Sequence, residues 1–271
     1  QDVMTLDVPN AFVQTPIPQG GEKICMKILG SLVDILREIC PGVYDDFVVY
    51  EEKGKQKILY VQMFMARYGM MIASLLSCKT FQTDIESIGF EVNPYDVCVE
   101  NRTVNGKQHT VTWHVDDLKM SHVSCKVLYG IINELSKKYG KEAPLTINRG
   151  KVHEYLGMTI DYTEKGKVKF TMFDYITNML ADLPMDMNGE AATPAPIHLF
   201  QVNETDPEKL DEDTAQMFHH NVAKLLFLSK RARPDIQTAV AFLCTRVRAP
   251  DTADYKKLAR CMPYLRQSIQ L

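Results

Sequence analysis

The segment Trp113-His114-Val115-Asp116-Asp117-Leu118 carries two adjacent aspartates in an apolar run typical of a β-strand. A third aspartate lies far upstream in a similar run, Thr5-Leu6-Asp7-Val8. Burying a carboxylate costs free energy, so strands that carry one usually place it for metal binding or catalysis. If the two segments meet at the edge of one sheet, they predict a two-metal site of the kind used for displacement at phosphorus.

The composition predicts a globular protein. With 271 residues, 45% of them hydrophobic, the chain can form one large domain or two modest ones. Its apolar stretches are shorter than the roughly 20 residues of a membrane span, so we expect no membrane partner. The chain opens at Gln1 in a strand-like pattern, which suggests a piece of a longer polypeptide. Seven cysteines without a Cys-x-x-Cys pair predict reduced, mostly buried thiols in an intracellular protein.

Charge is distributed unevenly, although the net charge is only −3. Residues 219–271 contain ten Lys and Arg against three Asp and Glu, a net charge of +7, which leaves −10 for residues 1–218. A basic segment of this kind favours a polyanionic partner, and an ordinary solvated helical face explains it equally well.

Hydrophobic periodicity predicts a mixed chain of helices and strands. The helical segments are 70–88, 124–139, 175–183, 215–230, 234–248 and 252–267. The strand segments are 3–8, 97–101, 109–115, 155–162 and 167–172. The Asn105-Gly106 signal predicts a hairpin turn, and Asp116-Asp117 is expected at the turn that closes the next strand.

Several segments, in this order, resemble the reverse transcriptase of copia-type retrotransposons, a part of the Pol polyprotein. Each is a short motif of that family: Asp7-Val8-Pro9-Asn10-Ala11-Phe12, His114-Val115-Asp116-Asp117-Leu118, Tyr155-Leu156-Gly157-Met158-Thr159-Ile160, Ala192-Thr193-Pro194 and Arg233-Pro234-Asp235-Ile236. Single motifs are weak signals, whereas their shared order along the chain is a strong one.

The resemblance implies an α+β fold: a reverse-transcriptase-like palm, with an antiparallel sheet packed on helices, followed by a mostly helical region. Residues 1–172 then form the palm with partial fingers. Residues 173–218 form a short helix and a proline-rich acidic linker, and residues 219–271 form a basic thumb- or connection-like region.

The resemblance also implies template-directed DNA synthesis by two-metal nucleotidyl transfer. Asp7, Asp116 and Asp117 are then the catalytic and metal-binding residues for two Mg²⁺ ions, with Mn²⁺ as a substitute, since hard oxygen ligands suit Mg²⁺. Val8 and Phe12 bind the nucleotide, and Phe12 is the bulky gate against a ribose 2′-hydroxyl. An ordinary core aromatic is an equal interpretation of Phe12.

Further roles follow from the same resemblance. Tyr155, Leu156 and Gly157 form the primer grip, and Lys230, Arg231 and Arg233 contact nucleic-acid phosphates. The expected partners are an RNA or DNA template with a primer, deoxynucleoside triphosphates, and the integrase and ribonuclease H parts of the polyprotein. The expected location is intracellular, in a cytoplasmic virus-like particle or the nucleus.

This chain also departs from the family pattern. The polar segment that packs over the incoming nucleotide in the family has Met71, Ile72, Ser74, Leu75 and Ser77 in place of its Lys, Gln, Pro, Arg and Trp. His114 replaces a tyrosine before the aspartate pair. Pro263 interrupts a predicted helix, where an interior proline costs roughly 3 kcal/mol. We therefore expect little or no polymerase activity from this chain alone.

Two alternatives remain open. The first is a non-catalytic nucleic-acid-binding remnant of a retroelement, in which the basic C-terminal region retains a partner. The second is an unrelated palm-like nucleotide enzyme such as a cyclase, which the Arg233-Pro234-Asp235-Ile236 segment disfavours.

Overall fold

A computed structural model of the chain describes residues 2–21, 23–51, 56–184, 187–202, 205 and 207–271. The fold is mixed α+β with antiparallel sheets, as predicted. The chain divides into two compact units, residues 1–148 and 149–271. The predicted boundaries at 172 and 218 therefore differ from the division that the structure shows.

The strands of the described residues are β1 Asp2–Asp7, β2 Cys25–Leu29, β3 Val49–Tyr50, β4 Lys57–Gln62, β5 Glu91–Asn93, β6 Asp96–Val104, β7 Lys107–His114, β8 Asp117–His122, β9 Thr146–Arg149, β10 Val152–Tyr155, β11 Met158–Asp161 and β12 Lys169–Thr171. The helices are α1 Ser31–Ile39, α2 Ala73–Ser87, α3 Cys125–Tyr139, α4 Phe173–Ala181, α5 Glu212–Ser229, α6 Gln237–Arg246 and α7 Thr252–Gln267. Short 3₁₀ turns occur at Asp45–Phe47 and Pro234–Ile236.

The first unit is built on a six-stranded sheet with the order β5-β6-β7-β8-β1-β9. Alternate residues of a strand point to opposite faces, and one face is buried by the apolar sides of α2 and α3. The amphipathic pattern predicted for 124–139 is confirmed, because Leu128, Ile131 and Ile132 of α3 lie in this core. A smaller sheet, β2-β4-β3, also belongs to this unit.

Strand β8 was not predicted from the sequence. Leu118 and Met120 are buried while Lys119 lies on the other face, so the segment has the period of two typical of a strand. Strand β8 pairs with β7 on one side and with β1 on the other, which makes it the link between the two aspartate segments.

The second unit combines the sheet β10-β11-β12 with helices α4 to α7 around one hydrophobic core. The hairpin that was assigned to the palm belongs here, because Met158 of β11 packs against that core. The predicted single strand over 155–162 is also wrong. A two-residue turn at Leu156-Gly157 divides it into β10 and β11.

The proline-rich segment predicted as a linker is part of this second unit. Met187, Ala191 and Leu199 are buried, and Met187 lies in the same core as the helices. Residues 185, 186, 203, 204 and 206 of the predicted linker lie outside the described residues. Apolar residues every few positions therefore bind this segment to the helical core.

Helix α7 is continuous through Pro263. Its first turn is stabilised by a capping box, in which Asp251 and Asp254 exchange hydrogen bonds with each other's backbone amides. Burial of the Pro263 ring and of neighbouring apolar side chains offsets the lost backbone hydrogen bond. Among the helices described, none has the length and apolar character needed to cross a bilayer.

All seven cysteines are free thiols. Only Cys261 is buried, whereas Cys25 and Cys125 are exposed and the remaining four are partly exposed. The prediction of mostly buried thiols is therefore wrong, because burial of a cysteine depends on which elements pack over it and not on its spacing in the sequence.

Candidate active site

The two aspartate segments meet on neighbouring strands in the interior of the large sheet. Asp7 at the end of β1 pairs with Asp117 at the start of β8, and His114 at the end of β7 pairs with Asp117 from the other side. Directly opposed residues share a face of the sheet. Asp7, Asp117 and His114 therefore lie in one row, on the face opposite the helices that cover Trp113 and Leu118.

Asp116 lies in the two-residue turn Val115-Asp116 that joins β7 to β8. The backbone amide of Val8 donates a hydrogen bond of 3.0 Å to the carbonyl oxygen of Asp116. Val8 is buried, so the residue after Asp7 attaches the turn to the end of β1. This contact brings the third carboxylate to the same end of the sheet as the other two.

The turn holds Val115 in an unusual conformation, with a φ of 59°. A β-branched residue rarely adopts a positive φ, because its Cβ then approaches the backbone closely. Strain of this kind is often found at functional sites. Here it aligns the strand ends so that His114 pairs directly with Asp117.

Burial and mutual repulsion shape the electrostatics of the site. The pKa of Asp7 is raised by burial and then by the charge of Asp116. The pKa of Asp117 is raised by burial and by the charges of Asp116 and Asp7, and His114 opposes this shift. Among the described residues, no Lys or Arg forms an ion pair with these three carboxylates. The site therefore carries negative charge that a cation would compensate.

The donor set fits a hard divalent cation. Mg²⁺ is commonly bound by one or two carboxylates, with water and substrate phosphates completing its coordination. Within the described part of the chain, no three His, Cys, Asp or Glu side chains converge closely enough to enclose an ion by themselves. Any ion at this site would therefore depend on oxygens from outside the protein.

Phe12 and Tyr68 form an aromatic pair next to this end of β1. Their ring centroids lie 4.9 Å apart with the planes tilted by 57°. Phe12 is half-buried, so one part of its ring packs within the protein and another part faces outward. The role of Phe12 as a nucleotide gate stays a prediction.

The segment that replaces the family's polar nucleotide-facing motif is exposed and apolar. Met71 is 99% exposed and Leu75 is 54% exposed. Helix α2 begins only at Ala73, so Met71 and Ile72 precede it. Exposed apolar side chains provide neither the charge nor the hydrogen bonds that bind a triphosphate.

The predicted primer-grip residues lie at the β10-β11 turn. Tyr155 ends β10, and Leu156 and Gly157 form the turn with φ values of 53° and 76°. Two successive positive φ values are typical of a type I′ turn. The turn lies close to α5, since a Cβ at Gly157 would be 3.7 Å from the ring of Phe227.

The three residues predicted to contact phosphates lie in different environments. Lys230 is exposed. The Arg231 guanidinium lies 3.6 Å from the centroid of the Phe227 ring. Arg233 is only 1% exposed, so its predicted role in surface binding is wrong.

Arg233 is instead a structural residue of the second unit. Its guanidinium donates to both carboxylate oxygens of Asp235 at 2.9 and 2.7 Å, and to the carbonyl and hydroxyl oxygens of Ser268. Tyr264 donates a further hydrogen bond to Asp235. The Arg-Pro-Asp-Ile motif therefore attaches the start of α6 to the end of α7.

Within the part of the chain that the structure describes, the basic excess of residues 219–271 persists after ion pairing. Its three acidic residues pair with Arg233, Arg246 and Lys257. Seven basic residues carry the remaining charge: Lys224, Lys230, Arg231, Arg248, Lys256, Arg260 and Arg266. These residues, rather than Arg233, are the candidates for contacts with a polyanion.

Two residues near the carboxylates were not identified from the sequence. His114 was noted only as a replacement for tyrosine, whereas the structure places it in the carboxylate row. Lys119 lies two residues beyond Asp117 and therefore on the same face, and burial lowers its pKa. The alternation of Asp117, Leu118 and Lys119 could have indicated this position, had β8 been predicted.

Comparisons with known proteins give only distant structural likenesses. No protein-family model and no curated protein matches the chain. Apo telomerase from Candida tropicalis aligns over 99% of this chain and 43% of its own, with 11% identity and a TM-score of 0.39. A form of it truncated from the C-terminal domain aligns over 62% and 35%, with 11% identity and a TM-score of 0.34.

A third likeness is to telomerase from Candida albicans in complex with a fragment of telomeric RNA. It covers 100% of this chain and 46% of the other, with 10% identity and a TM-score of 0.32. The chain thus spans less than half the length of each of these structures. At such scores the likenesses carry no functional argument, so the function proposed below rests on the carboxylate geometry and the motifs.

Proposed function

We propose that this chain is the polymerase portion of a copia-type retroelement reverse transcriptase, in which the carboxylate site is retained and nucleotide binding is weakened. The observation that carries the proposal is the opposition of Asp7 and Asp117 on neighbouring strands, with Asp116 in the adjoining turn. Two separate sequence motifs thereby meet at one end of one sheet, as two-metal nucleotidyl transfer requires.

Asp7, Asp116 and Asp117 are the residues that would hold Mg²⁺ or Mn²⁺. When bound, such ions lower the pKa of an attacking hydroxyl and stabilise the charge of a leaving pyrophosphate. The protein contributes the fixed position of the carboxylates, set by strand pairing and by the Val8–Asp116 hydrogen bond. RNA or DNA template, primer and deoxynucleoside triphosphates are the proposed partners.

Metal binding tests the site without requiring turnover. Water-proton relaxation with Mn²⁺ should detect binding to the wild-type chain, and Asp7→Asn or Asp117→Asn should weaken it at least about tenfold, or about 1.4 kcal/mol. Glu91→Gln is the matched control, because Glu91 is an exposed carboxylate on β5 of the same sheet. Equal Mn²⁺ affinity in all four proteins would contradict the proposal.

Primer extension on an RNA template tests the chemistry. The wild-type chain should extend a DNA primer weakly or not at all, because Met71 and Leu75 occupy the positions of the family's Lys and Arg. Met71→Lys combined with Leu75→Arg restores those cations and should increase metal-dependent extension. Asp116→Asn in that background should abolish it. Failure of the restored variant to extend, despite Mn²⁺ binding, would remove polymerisation from the proposal.

A second candidate function is sequence-independent nucleic-acid binding without catalysis. It is favoured by the apolar exposed surface at Met71 and Leu75, together with the seven basic residues of 219–271 that form no ion pair within the described residues. When phosphate contacts dominate binding, the logarithm of the affinity falls linearly with the logarithm of the salt concentration. A filter-binding titration of an RNA–DNA duplex between low and high salt would show this slope, and no affinity at low salt would contradict this function.

A further inference from the structure

Three planar side chains stack at the end of helix α5. Arg231 lies two residues beyond the helix, and its guanidinium is 3.6 Å from the centroid of the Phe227 ring. The Phe227 ring packs in turn against the ring of Tyr175 on α4, with centroids 5.3 Å apart and planes tilted by 33°. A cation is attracted to an aromatic face, and rings at this spacing attract each other. The stack therefore restricts where the Arg231 charge can lie.

The ring at the centre of the stack is held by its surroundings. The Tyr175 hydroxyl donates a hydrogen bond of 3.1 Å to the carbonyl oxygen of Lys224, three residues before Phe227 on α5. The β10-β11 turn also approaches the ring, since a Cβ at Gly157 would lie 3.7 Å from it. Because Phe227 is fixed in this way, the guanidinium that stacks on it is preorganised.

Most of the Arg231 donors are not used within the protein. A guanidinium has five N–H donors. Among the described residues, Arg231 makes one hydrogen bond, from Nη1 to the carbonyl oxygen of Phe227 at 3.4 Å, and no ion pair. Its side chain is partly exposed, whereas the guanidinium of Arg233 is buried and bound to Asp235 and Ser268. Of these two arginines, Arg231 is thus the one available to an external anion.

Two lysines lie beside the stack. Lys224 precedes Phe227 by three residues, so the two side chains share a face of α5. Lys230 adjoins Arg231 and is exposed. Neither lysine forms an ion pair within the described part of the chain. A guanidinium binds phosphate with two parallel hydrogen bonds, and aromatic rings pack against nucleobases. This combination favours a nucleic acid over an acidic peptide, which provides anions without bases.

We propose that Lys224, Phe227, Lys230 and Arg231, here called the Arg231 surface, bind the phosphate backbone of a nucleic acid. In this proposal Phe227 and Tyr175 are positioning residues that hold the Arg231 guanidinium in place. Without the Phe227 ring, the arginine side chain would have to be ordered on binding, which lowers affinity. The inference rests on the nucleic-acid partner proposed above, but not on polymerase activity.

Changes at Arg231 test the phosphate contact. Fluorescence anisotropy of a labelled RNA–DNA duplex at several salt concentrations measures the affinity and its salt dependence. Arg231→Ala should reduce the slope of log affinity against log salt by about 0.9, the value for one phosphate contact. Arg231→Lys keeps the charge and therefore the slope. It should still weaken binding about fivefold, because the planar donor group and the stacking are lost.

Phe227→Leu tests the positioning role. Leucine keeps an apolar side chain next to Tyr175 and the turn but offers no aromatic face to the guanidinium. The variant should bind about fivefold more weakly with an unchanged salt slope, because the charge remains. Lys165→Ala is the matched control, since Lys165 is an exposed lysine of the same unit outside the Arg231 surface. It should bind like the wild type. Melting temperatures show whether each variant is folded, and Arg231→Lys and Phe227→Leu decide the test if Arg231→Ala is not.

Three results would overturn the proposal. If Arg231→Ala lowers the melting temperature but leaves affinity and slope unchanged, Arg231 only stabilises the end of α5. If poly-glutamate displaces the duplex as well as unlabelled duplex of equal charge does, the surface binds acidic protein segments instead. If the wild type does not bind the duplex at low salt, the nucleic-acid partner proposed above fails as well, whereas the first result removes the Arg231 surface alone.

Discussion

Asp7 and Asp117 face each other across two adjacent antiparallel strands, and their pKa values are both raised by burial and by neighbouring carboxylates. Raised pKa values mean that the folded protein holds these protons more tightly than the unfolded chain does. The two carboxylates therefore lower stability as pH rises from the ordinary aspartate pKa through the raised values.

We expect Asp117→Asn to raise the melting temperature at pH 7.5 in the absence of divalent metal, because it removes repulsion with Asp7 and Asp116. The gain should shrink as pH falls towards the ordinary pKa of aspartate. Millimolar Mg²⁺ should raise the melting temperature of the wild type more than that of the variant. Differential scanning fluorimetry measures each effect, and a wild type more stable than the variant in EDTA at pH 7.5 would contradict the repulsion.

Glu100 predicts a second pH dependence in the same sheet. Its side chain is fully buried and neither carboxylate oxygen has a hydrogen-bond partner among the described residues. Burial, with a contribution from Glu86, raises its pKa to about 7. The wild type should therefore lose stability between about pH 5 and pH 8, as the unfolded chain ionises first.

Glu100→Gln should remove most of this slope and stabilise the protein at pH 8 by roughly 1–3 kcal/mol. Urea unfolding at pH 5 and pH 8 measures the difference. Glu86→Gln should act in the same direction but less strongly, since the Glu86 charge is the smaller cause. Glu91→Gln, which changes an exposed glutamate, should have no effect on the slope.

Replacing the buried Arg233 should lower the stability of the protein without removing a contact to phosphate. Arg233 is buried but its partner Asp235 is exposed, so Arg233→Ala should destabilise the second unit by about 1–3 kcal/mol, through the lost hydrogen bonds to Asp235 and Ser268. Tyr264→Phe, which removes only the hydroxyl that donates to Asp235, should cost about 1 kcal/mol.

Lys230→Ala is the matched comparison, because Lys230 is exposed close to Arg233 in the sequence. It should leave the melting temperature unchanged and lower both the nucleic-acid affinity and its salt dependence. If Arg233→Ala retains full stability and instead flattens the salt dependence, then Arg233 is a surface contact after all.

Replacing Gly157 should strain the backbone of the β10-β11 turn. Its φ of 76° disfavours any residue with a Cβ, whereas the space around it is adequate, since the nearest atom to an added Cβ is 3.7 Å away. Gly157→Ala should therefore destabilise the protein by about 1–2 kcal/mol through backbone strain. Gly130→Ala should do the opposite, by about 0.5–1 kcal/mol, because Gly130 lies within α3 with open space around it. Chemical unfolding of both variants tests the contrast.

Much of the local structure could be predicted. The 3.6-residue period over 124–139 corresponds to α3, and the Asn105-Gly106 signal corresponds to the turn between β6 and β7. These elements depend on residues close in sequence, so periodicity and turn residues report them. Strand β8 and the Leu156-Gly157 turn were missed, because short apolar runs do not show where a strand starts or which strand it pairs with.

The candidate site shows the same division. The motifs identified Asp7, Asp116 and Asp117, but neither the pairing of Asp7 with Asp117 nor the position of His114 follows from them. For Arg233 the motif was present and its interpretation was wrong. A buried arginine and an exposed one look alike in sequence when the partner, here Ser268, lies at the end of another helix.

The sequence alone determined the helices and strands with a strong hydrophobic periodicity and the mixed α+β class. It also determined the choice of Asp7, Asp116 and Asp117 as the candidate site. These properties depend on composition and on neighbours along the chain. Only the tertiary structure decided which strands adjoin and which charges are buried. Those properties arise from contacts between distant residues, whose free energy depends on burial and register and leaves no periodic trace in the sequence.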